Sequence, residues 1–258
     1  MEDNLVKARG IIKTSGNNFH SKVVKYFQDR GWSVLISPFY TDNITSKPRE
    51  IDIIAEKIFE VATFSLKKRI VNVQLFLECK YLNNISVFWF HERDDVTARQ
   101  LVAKIIGINE ENIYIHKFHY MDGHDKVAKL FSSKKGRTSE HDPFYKALNQ
   151  CLNAYIYFKG SRKIIGGTED PRLPIHKIVT FPVIVCSSFE KVFKTKIGGA
   201  LEPEKITENF LLEVNYAYMT SSGRSQNEYF LVDIVEFDQL DKFLQAIYED
   251  TKVAGNLL

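Results

Sequence analysis

Apolar residues along this chain recur at two different spacings, and the changes between them mark out its elements. Phe19, Val23, Tyr26 and Phe27 fall at helical intervals and the pattern stops at Gly31, which predicts a helix over 17–30. Strands are expected over 32–40, 50–59 and 71–81, where polar and apolar positions alternate before runs such as Ile53-Ile54-Ala55 turn wholly apolar. The polar stretch around Ser65, Lys67, Lys68 and Arg69 would be the tip of an antiparallel hairpin joining the second and third of these. A short aromatic run, Val87-Phe88-Trp89-Phe90, comes next, then a helix from Asp95 to Ile106, a strand-like piece from Ile113 to Tyr120 and a basic loop. A helix over 143–158, strands over 179–187, 210–218 and 229–235, and a last helix over 237–248 complete the pattern.

Strands alternating with helices imply a three-layer α/β/α fold around a central mixed sheet. Residues 1–258 read as one domain, with a core formed by 17–82 and 143–258 and an insert at approximately 83–140. The aromatics of that insert read as ordinary packing, since exposed clusters of this size are unusual in monomers. Substrate recognition or partner docking is the other use open to the insert.

One strand carries chemistry that its packing does not need. Residues 75–81 read Leu-Phe-Leu-Glu-Cys-Lys-Tyr, and two-residue alternation puts Glu78 and Lys80 on one face, with Leu77, Cys79 and Tyr81 on the other. Opposite charges on a largely buried strand cost free energy unless a partner compensates them. A second acid precedes them in Arg49-Glu50-Ile51-Asp52-Ile53-Ile54-Ala55, where Glu50 and Asp52 would share a face. The expected hairpin would bring Asp52 to Glu78. The alternative is a solvated edge strand, with Asp52 simply ending its neighbour.

Taken in order, these features resemble the PD-(D/E)XK superfamily of nucleases, the restriction-endonuclease-like fold. The resemblance consists of an Asp ending one strand and Glu-x-Lys on the next, after a helix (Phe19 to Arg30) and a strand (Trp32 to Phe39). The wording Glu-Ile-Asp-Ile-Ile-Ala, followed by Phe-Leu-Glu-Cys-Lys, is most similar to the branch of archaeal Holliday-junction resolvases and Mrr-like restriction enzymes. It covers residues 17–82; beyond them only the order of elements agrees. The resemblance implies a metal-dependent endonuclease acting on DNA, in restriction, phage defence or repair. Asp52, Glu78 and the backbone carbonyl of Cys79 would hold Mg²⁺, or Mn²⁺, as hard oxygen ligands. The ion would polarise the scissile phosphodiester and acidify a water, and Lys80 would orient that water or stabilise developing charge. Enzymes of this kind that cut both strands pair two sites, so the analogy also implies a homodimer or a place in a larger defence or repair complex.

Two departures bear on that expectation. Ile51 stands where a Pro often precedes the Asp, with Pro48 further upstream. His20 stands where many relatives carry a Glu on the first helix, and it is either a ligand or substrate contact, or a half-buried histidine beside Val24 and Phe27. A non-catalytic nucleic-acid-binding or assembly subunit that retains the fold is therefore the rival function. Gln150, on the 143–158 helix near Tyr155, is a further candidate, because several nuclease branches place a Gln beside the metal; otherwise it is an ordinary polar helix residue.

Composition narrows the class without naming a function. No apolar run approaches the ~18 residues that span a bilayer, and Met1 to Lys7 lacks the apolar core of a signal peptide, so a cytoplasmic protein is expected. Cys79, Cys151 and Cys186 form no C-x-x-C pair and read as buried thiols. His116, His119 and His124 have no accompanying Cys, and on a strand the first two rings would diverge, which argues against zinc. The net charge of +3 is small, but Lys126, Lys129, Lys134, Lys135 and Arg137 cluster without an acid. Lys134, Lys135 and Arg137 are the candidate nucleic-acid contacts; a solvated Lys-rich loop is the alternative.

Overall fold

A computed structural model describes residues 2–43, 45–62, 68–123, 125–133, 143–159, 161, 164–165, 175, 177–199, 202–220 and 222–257. Helices α1 (Glu2–Thr14) and α2 (Gly16–Asp29) open the chain, followed by β1 (Ser33–Ile36), β2 (Phe39–Thr41), β3 (Pro48–Glu50), β4 (Ile53–Ala62) and β5 (Lys68–Lys80). Next come β6 (Ser86–Glu92), α3 (Asp95–Ile106), β7 (Lys126–Ser133) and α4 (Pro143–Phe158). The chain ends with β8 (Lys177–Cys186), β9 (Val192–Lys196), β10 (Glu204–Lys205), β11 (Phe210–Met219), β12 (Ser225–Glu236) and α5 (Leu240–Asn256).

Ten strands form one mixed sheet in the order β1-β4-β5-β8-β12-β11-β7-β6-β9-β10, and β2 pairs with β3 in a small separate sheet. The fold is thus mixed α/β, with helices on both faces. On one face α2, α3 and α5 bury Phe19, Val23, Phe27, Leu101, Phe243 and Ile247 against odd-numbered β5 residues such as Val73, Leu75 and Leu77. On the other, α4 buries Phe144, Ala147, Cys151 and Leu152 against Ile54 and Phe76. The anticipated hairpin forms, with β4 and β5 antiparallel from Ile53↔Leu77 to Ala62↔Lys68; its tip, with Ser65 and Lys67, lies outside the described residues.

Local chemistry explains where the elements agree with the sequence and where they depart from it. Ser15 caps α2 by accepting from the Asn17 N–H at 3.0 Å, and Gly31 leaves the helix at φ 72°. The strand expected over 32–40 breaks in two, because Ser37 takes a left-handed backbone (φ 51°) and Pro38 has no N–H to donate. The piece expected as a strand over 113–120 contains a 3-10 helix, Ile113–Lys117, started by the Asn112 side chain accepting from the Tyr114 N–H. Residues 126–133, expected in a basic loop, are strand β7. Helices α1 and strands β9 and β10 were not anticipated, and α5 runs eight residues further than the pattern indicated, to Asn256. Residues 83–133 are continuous with the main sheet, since β6 pairs with β7 and β9, and β7 joins β11 at Leu212↔Ala128. Phe88 packs against Phe131, Phe144 and Phe210 there. Among the described residues no helix is long and apolar enough to cross a membrane.

Candidate active site

Strands β5, β8 and β12 run parallel, so their C-terminal ends lie at one edge of the molecule, where open α/β sheets bind ligands. Pairing of β4 with β5 ends at Ile53↔Leu77, which leaves Glu78 to Lys80 projecting past the start of β4. Asp52 fills that gap. One of its carboxylate oxygens, Oδ2, accepts from the Cys79 N–H at 2.7 Å, and its own N–H donates to Glu78 Oε1 at 3.3 Å. The Lys80 ammonium lies 3.0 Å from Glu78 Oε2. The Lys80 carbonyl accepts from the Ser187 N–H beyond β8, so strand alternation turns the Cys79 carbonyl to the opposite edge, toward Asp52. Leu77 and Cys79 face the α2 side as expected, whereas Tyr81 is 56% exposed because β5 has already ended.

Burial dominates the electrostatics. The Glu78 side chain is only 1% exposed, and desolvation is the main reason its pKa rises from 4.5 to about 7; Lys80 pulls it down and Asp52 pushes it up. For Lys80, burial opposes the charged form, but Glu78 and Asp52 outweigh it and raise the ammonium's pKa. The end of β5 and the Asp52 segment beside it therefore hold two acids and one base, with one acid poised near neutrality.

Helices from opposite faces fix the segment that carries Asp52. From α2, His20 Nε2 donates to the Asp52 carbonyl at 2.9 Å, and the Ser37 N–H donates to the same oxygen at 2.8 Å. From α4, Gln150 Nε2 donates to the Glu50 carbonyl at 2.9 Å. Both side chains thus hold backbone, and neither side chain's described bond is to an acid of the site. Glu50 ends β3 and lines a neighbouring cavity, so it does not share a strand face with Asp52 as anticipated.

That cavity, about 720 Å³, lies between β2–β3 and α4, on the side of the sheet that Glu78 faces. Its wall includes Tyr40, Asn149, Asn153 and Tyr216. None of these was singled out by sequence, although three amides within one turn, Asn149, Gln150 and Asn153, stand out on an otherwise apolar helix. The Glu78 charge lies near enough to Tyr40 to add to the effect of burial in raising its hydroxyl's pKa.

The remaining candidates fall elsewhere. Lys134, Lys135 and Arg137 lie outside the described residues, as does His124. Lys129 pairs with the buried Glu213 at 2.7 Å, and Lys126 lies 3.7 Å from Glu92, so this part of the basic run is matched by acids distant in sequence. His119 is committed to two buried carboxylates, Asp233 and Asp250. All three cysteines are free; Cys151 and Cys186 are buried and Cys79 partly so.

Among the described residues no three His, Cys, Asp or Glu side chains converge as a metal-holding group. At the Asp52 site the available donors are two carboxylates and one main-chain carbonyl, all hard oxygens. That set suits a small divalent cation that retains several waters, and it suits a softer metal poorly. No protein-family model, curated protein or solved structure matches the chain.

Proposed function

We propose that the protein is a metal-dependent endonuclease that hydrolyses DNA phosphodiester bonds, with a restriction-endonuclease-like core. The carrying observation is the meeting of Asp52, Glu78 and Lys80 at the C-terminal end of β5, with a fully buried Glu78 whose carboxyl is held near neutrality. Asp52, Glu78 and the Cys79 carbonyl would hold Mg²⁺ or Mn²⁺, which when bound supplies Lewis-acid activation of the phosphodiester and of water. A second positive charge beside Glu78 favours its ionised form, so occupancy and deprotonation are linked. Lys80, 19% exposed at its side chain, places a cation at the rim of the buried pair, where charge develops on a non-bridging phosphate oxygen. His20 and Gln150 act as positioning residues by fixing the carbonyls on either side of Ile51. The biological setting that fits such an activity is restriction, phage defence or repair, as a homodimer or within a larger complex.

The complete burial of Glu78 is the observation that favours a second reading, a non-catalytic nucleic-acid-binding or assembly subunit. Plasmid and linear DNA incubated with purified protein and Mg²⁺ or Mn²⁺, against EDTA, separate the two. Metal-dependent cutting by wild type that Asp52→Ala and Lys80→Ala lose supports the nuclease. Identical traces for wild type and variants sink it.

A further inference from the structure

Two exposed aromatic rings stand at the acids, and neither joins a hydrophobic core: Phe39 is 67% exposed and Tyr81 56%. Both sit on main chain that is bonded to the site. On one side the Ser37 N–H donates to the Asp52 carbonyl at 2.8 Å and the Ile51 N–H to the Pro38 carbonyl at 3.2 Å, so Phe39, paired with Glu50, lies beside the segment that carries Asp52. Alternation along β2 buries Tyr40 and turns Phe39 outward. On the other side Tyr81 directly follows Lys80. Its loop is pinned to the loop after β8: the Leu82 N–H donates to Ser187 Oγ at 3.0 Å, the Ser86 N–H to the Lys191 carbonyl at 2.9 Å, and the Lys191 ammonium to the Asn83 carbonyl at 3.0 Å. Each ring therefore projects from fixed backbone, one from each of the two segments that meet at Asp52 and Glu78.

An exposed ring offers a face, and the bases of a nucleic acid offer faces in return only when they are unpaired: an intact duplex covers each base with its neighbours, whereas a single or locally melted strand presents them. The nearby charges favour stacking over phosphate contacts. Glu50 is paired across from Phe39, and Glu190 lines the small depression beside Tyr81, so a strand lying here gains little from an anion-binding track. Adjacent strands lie about 4.8 Å apart, which puts the two ring-bearing segments roughly 10 Å from each other; at about 3.4 Å per stacked nucleotide that is the span of roughly three. Resting on the nuclease reading of the acids, we propose that Phe39 and Tyr81 stack on unpaired bases to either side of the phosphate that meets Asp52 and Glu78, and so select single-stranded or locally melted DNA over intact duplex. Every base has a π-face, so the selection is for strand structure and is tolerant of sequence.

The test measures binding without metal and cleavage with it. In EDTA the full chain is titrated into a labelled single strand carrying 2-aminopurine, the same strand with abasic residues at its centre, and the fully paired duplex. Wild type is expected to bind the base-bearing single strand about tenfold more tightly than either of the others, with a change in 2-aminopurine emission. Phe39→Ala and Tyr81→Ala should each remove most of that preference and raise KM for cleavage of single strands by a similar factor, whereas Phe39→Tyr and Tyr81→Phe, which keep a ring, should restore it. Both positions are exposed, so the alanine variants should melt with wild type. Equal affinity for base-bearing and abasic strands, nil included, overturns the proposal, and so does a preference that both alanine variants keep. A wild-type dimer that either alanine variant dissociates also overturns it, assigning the rings to a protein interface. Cleavage with Mg²⁺ is scored separately: cutting by an enzyme without a base preference refutes the stacking role alone, and a base preference without cutting refutes the nuclease reading alone.

Discussion

Two buried clusters in this molecule have the same formal composition, two carboxylates and one basic group, yet they are wired differently. In the first, His119 sits between Asp233 and Asp250 under the rings of Phe118, Phe181 and Phe243. Every carboxylate oxygen there has a donor: the His119 ring serves one oxygen of each acid, the His119 main-chain N–H donates to Asp250 Oδ1 at 2.8 Å, and the Tyr120 hydroxyl donates to Asp233 Oδ2 at 3.2 Å. Burial works against the imidazolium, but the two acids overcome it and raise its pKa to about 10. In the second cluster the basic group lies at the rim. Among the described residues the Lys80 ammonium pairs with Glu78 alone, while Asp52 is held by a main-chain N–H. The first arrangement is closed; in the second, Glu78 Oε1 accepts from the Asp52 N–H, Glu78 Oε2 from Lys80 and Asp52 Oδ2 from the Cys79 N–H, which leaves Asp52 Oδ1 without a described donor.

The contrast breaks or holds on measurable differences. Asp250→Ala removes one acid from the closed cluster and is expected to cost about 3–5 kcal/mol in urea unfolding, whereas Asp52→Ala, at a half-buried position, should cost far less. Comparable losses at the two positions would erase the distinction. The closed cluster also sets a pH dependence. A histidine raised from 6.5 to about 10 stabilises the fold fully below pH 6.5, and that contribution fades as pH climbs through about 10. The loss is on the order of 5 kcal/mol, and unfolding titrations of His119→Gln should lack this slope.

The open cluster behaves in the same direction in an earlier window. Glu78 binds its proton more tightly folded than unfolded, so its contribution is complete below pH 4.5 and is lost as pH rises through about 7. Glu78→Gln should therefore stabilise the metal-free protein by about 1–3 kcal/mol at pH 8, leave it unchanged near pH 4, and abolish cleavage. A variant that melts lower at pH 8 would show that Glu78 is already compensated. The smallest effect is expected at His20. His20→Ala leaves the Asp52 carbonyl its bond from the Ser37 N–H, so stability should fall by about 1 kcal/mol, with a modest slowing of cleavage and an unchanged metal requirement.

The local patterns in the sequence carried further than the long-range ones. The hairpin that joins Asp52 to Glu78 was legible because alternation fixes which β5 residues share a face and a polar tip fixes the antiparallel partner. Helices α3 and α4 were equally plain, with Asp94 and Gly107 bounding α3 as cap residues do. The break at Ser37 was hidden, since nothing in Val34-Leu35-Ile36-Ser37-Pro38 except the proline announces a left-handed residue. The closed cluster was hidden for a different reason. His119 is more than a hundred residues from both Asp233 and Asp250 and meets them only through the packing of α5 and the 3-10 segment on the sheet. Tyr40 and Asn153 were missed in the same way, because lining a cavity is a property of assembled walls, and no spacing in the chain records it.

The double hold on residues 50–52 has a consequence for a chain still emerging from the ribosome. Once residue 80 has been made, Asp52, Glu78 and Lys80 all exist, and His20 can already grip the Asp52 carbonyl. Gln150 and the β8 strand beside β5 do not yet exist, so Glu50 is held only through its pairing with β2 and one edge of β5 is bare. The Asp52 segment is consequently fixed from both faces of the sheet only after translation has passed the middle of the chain.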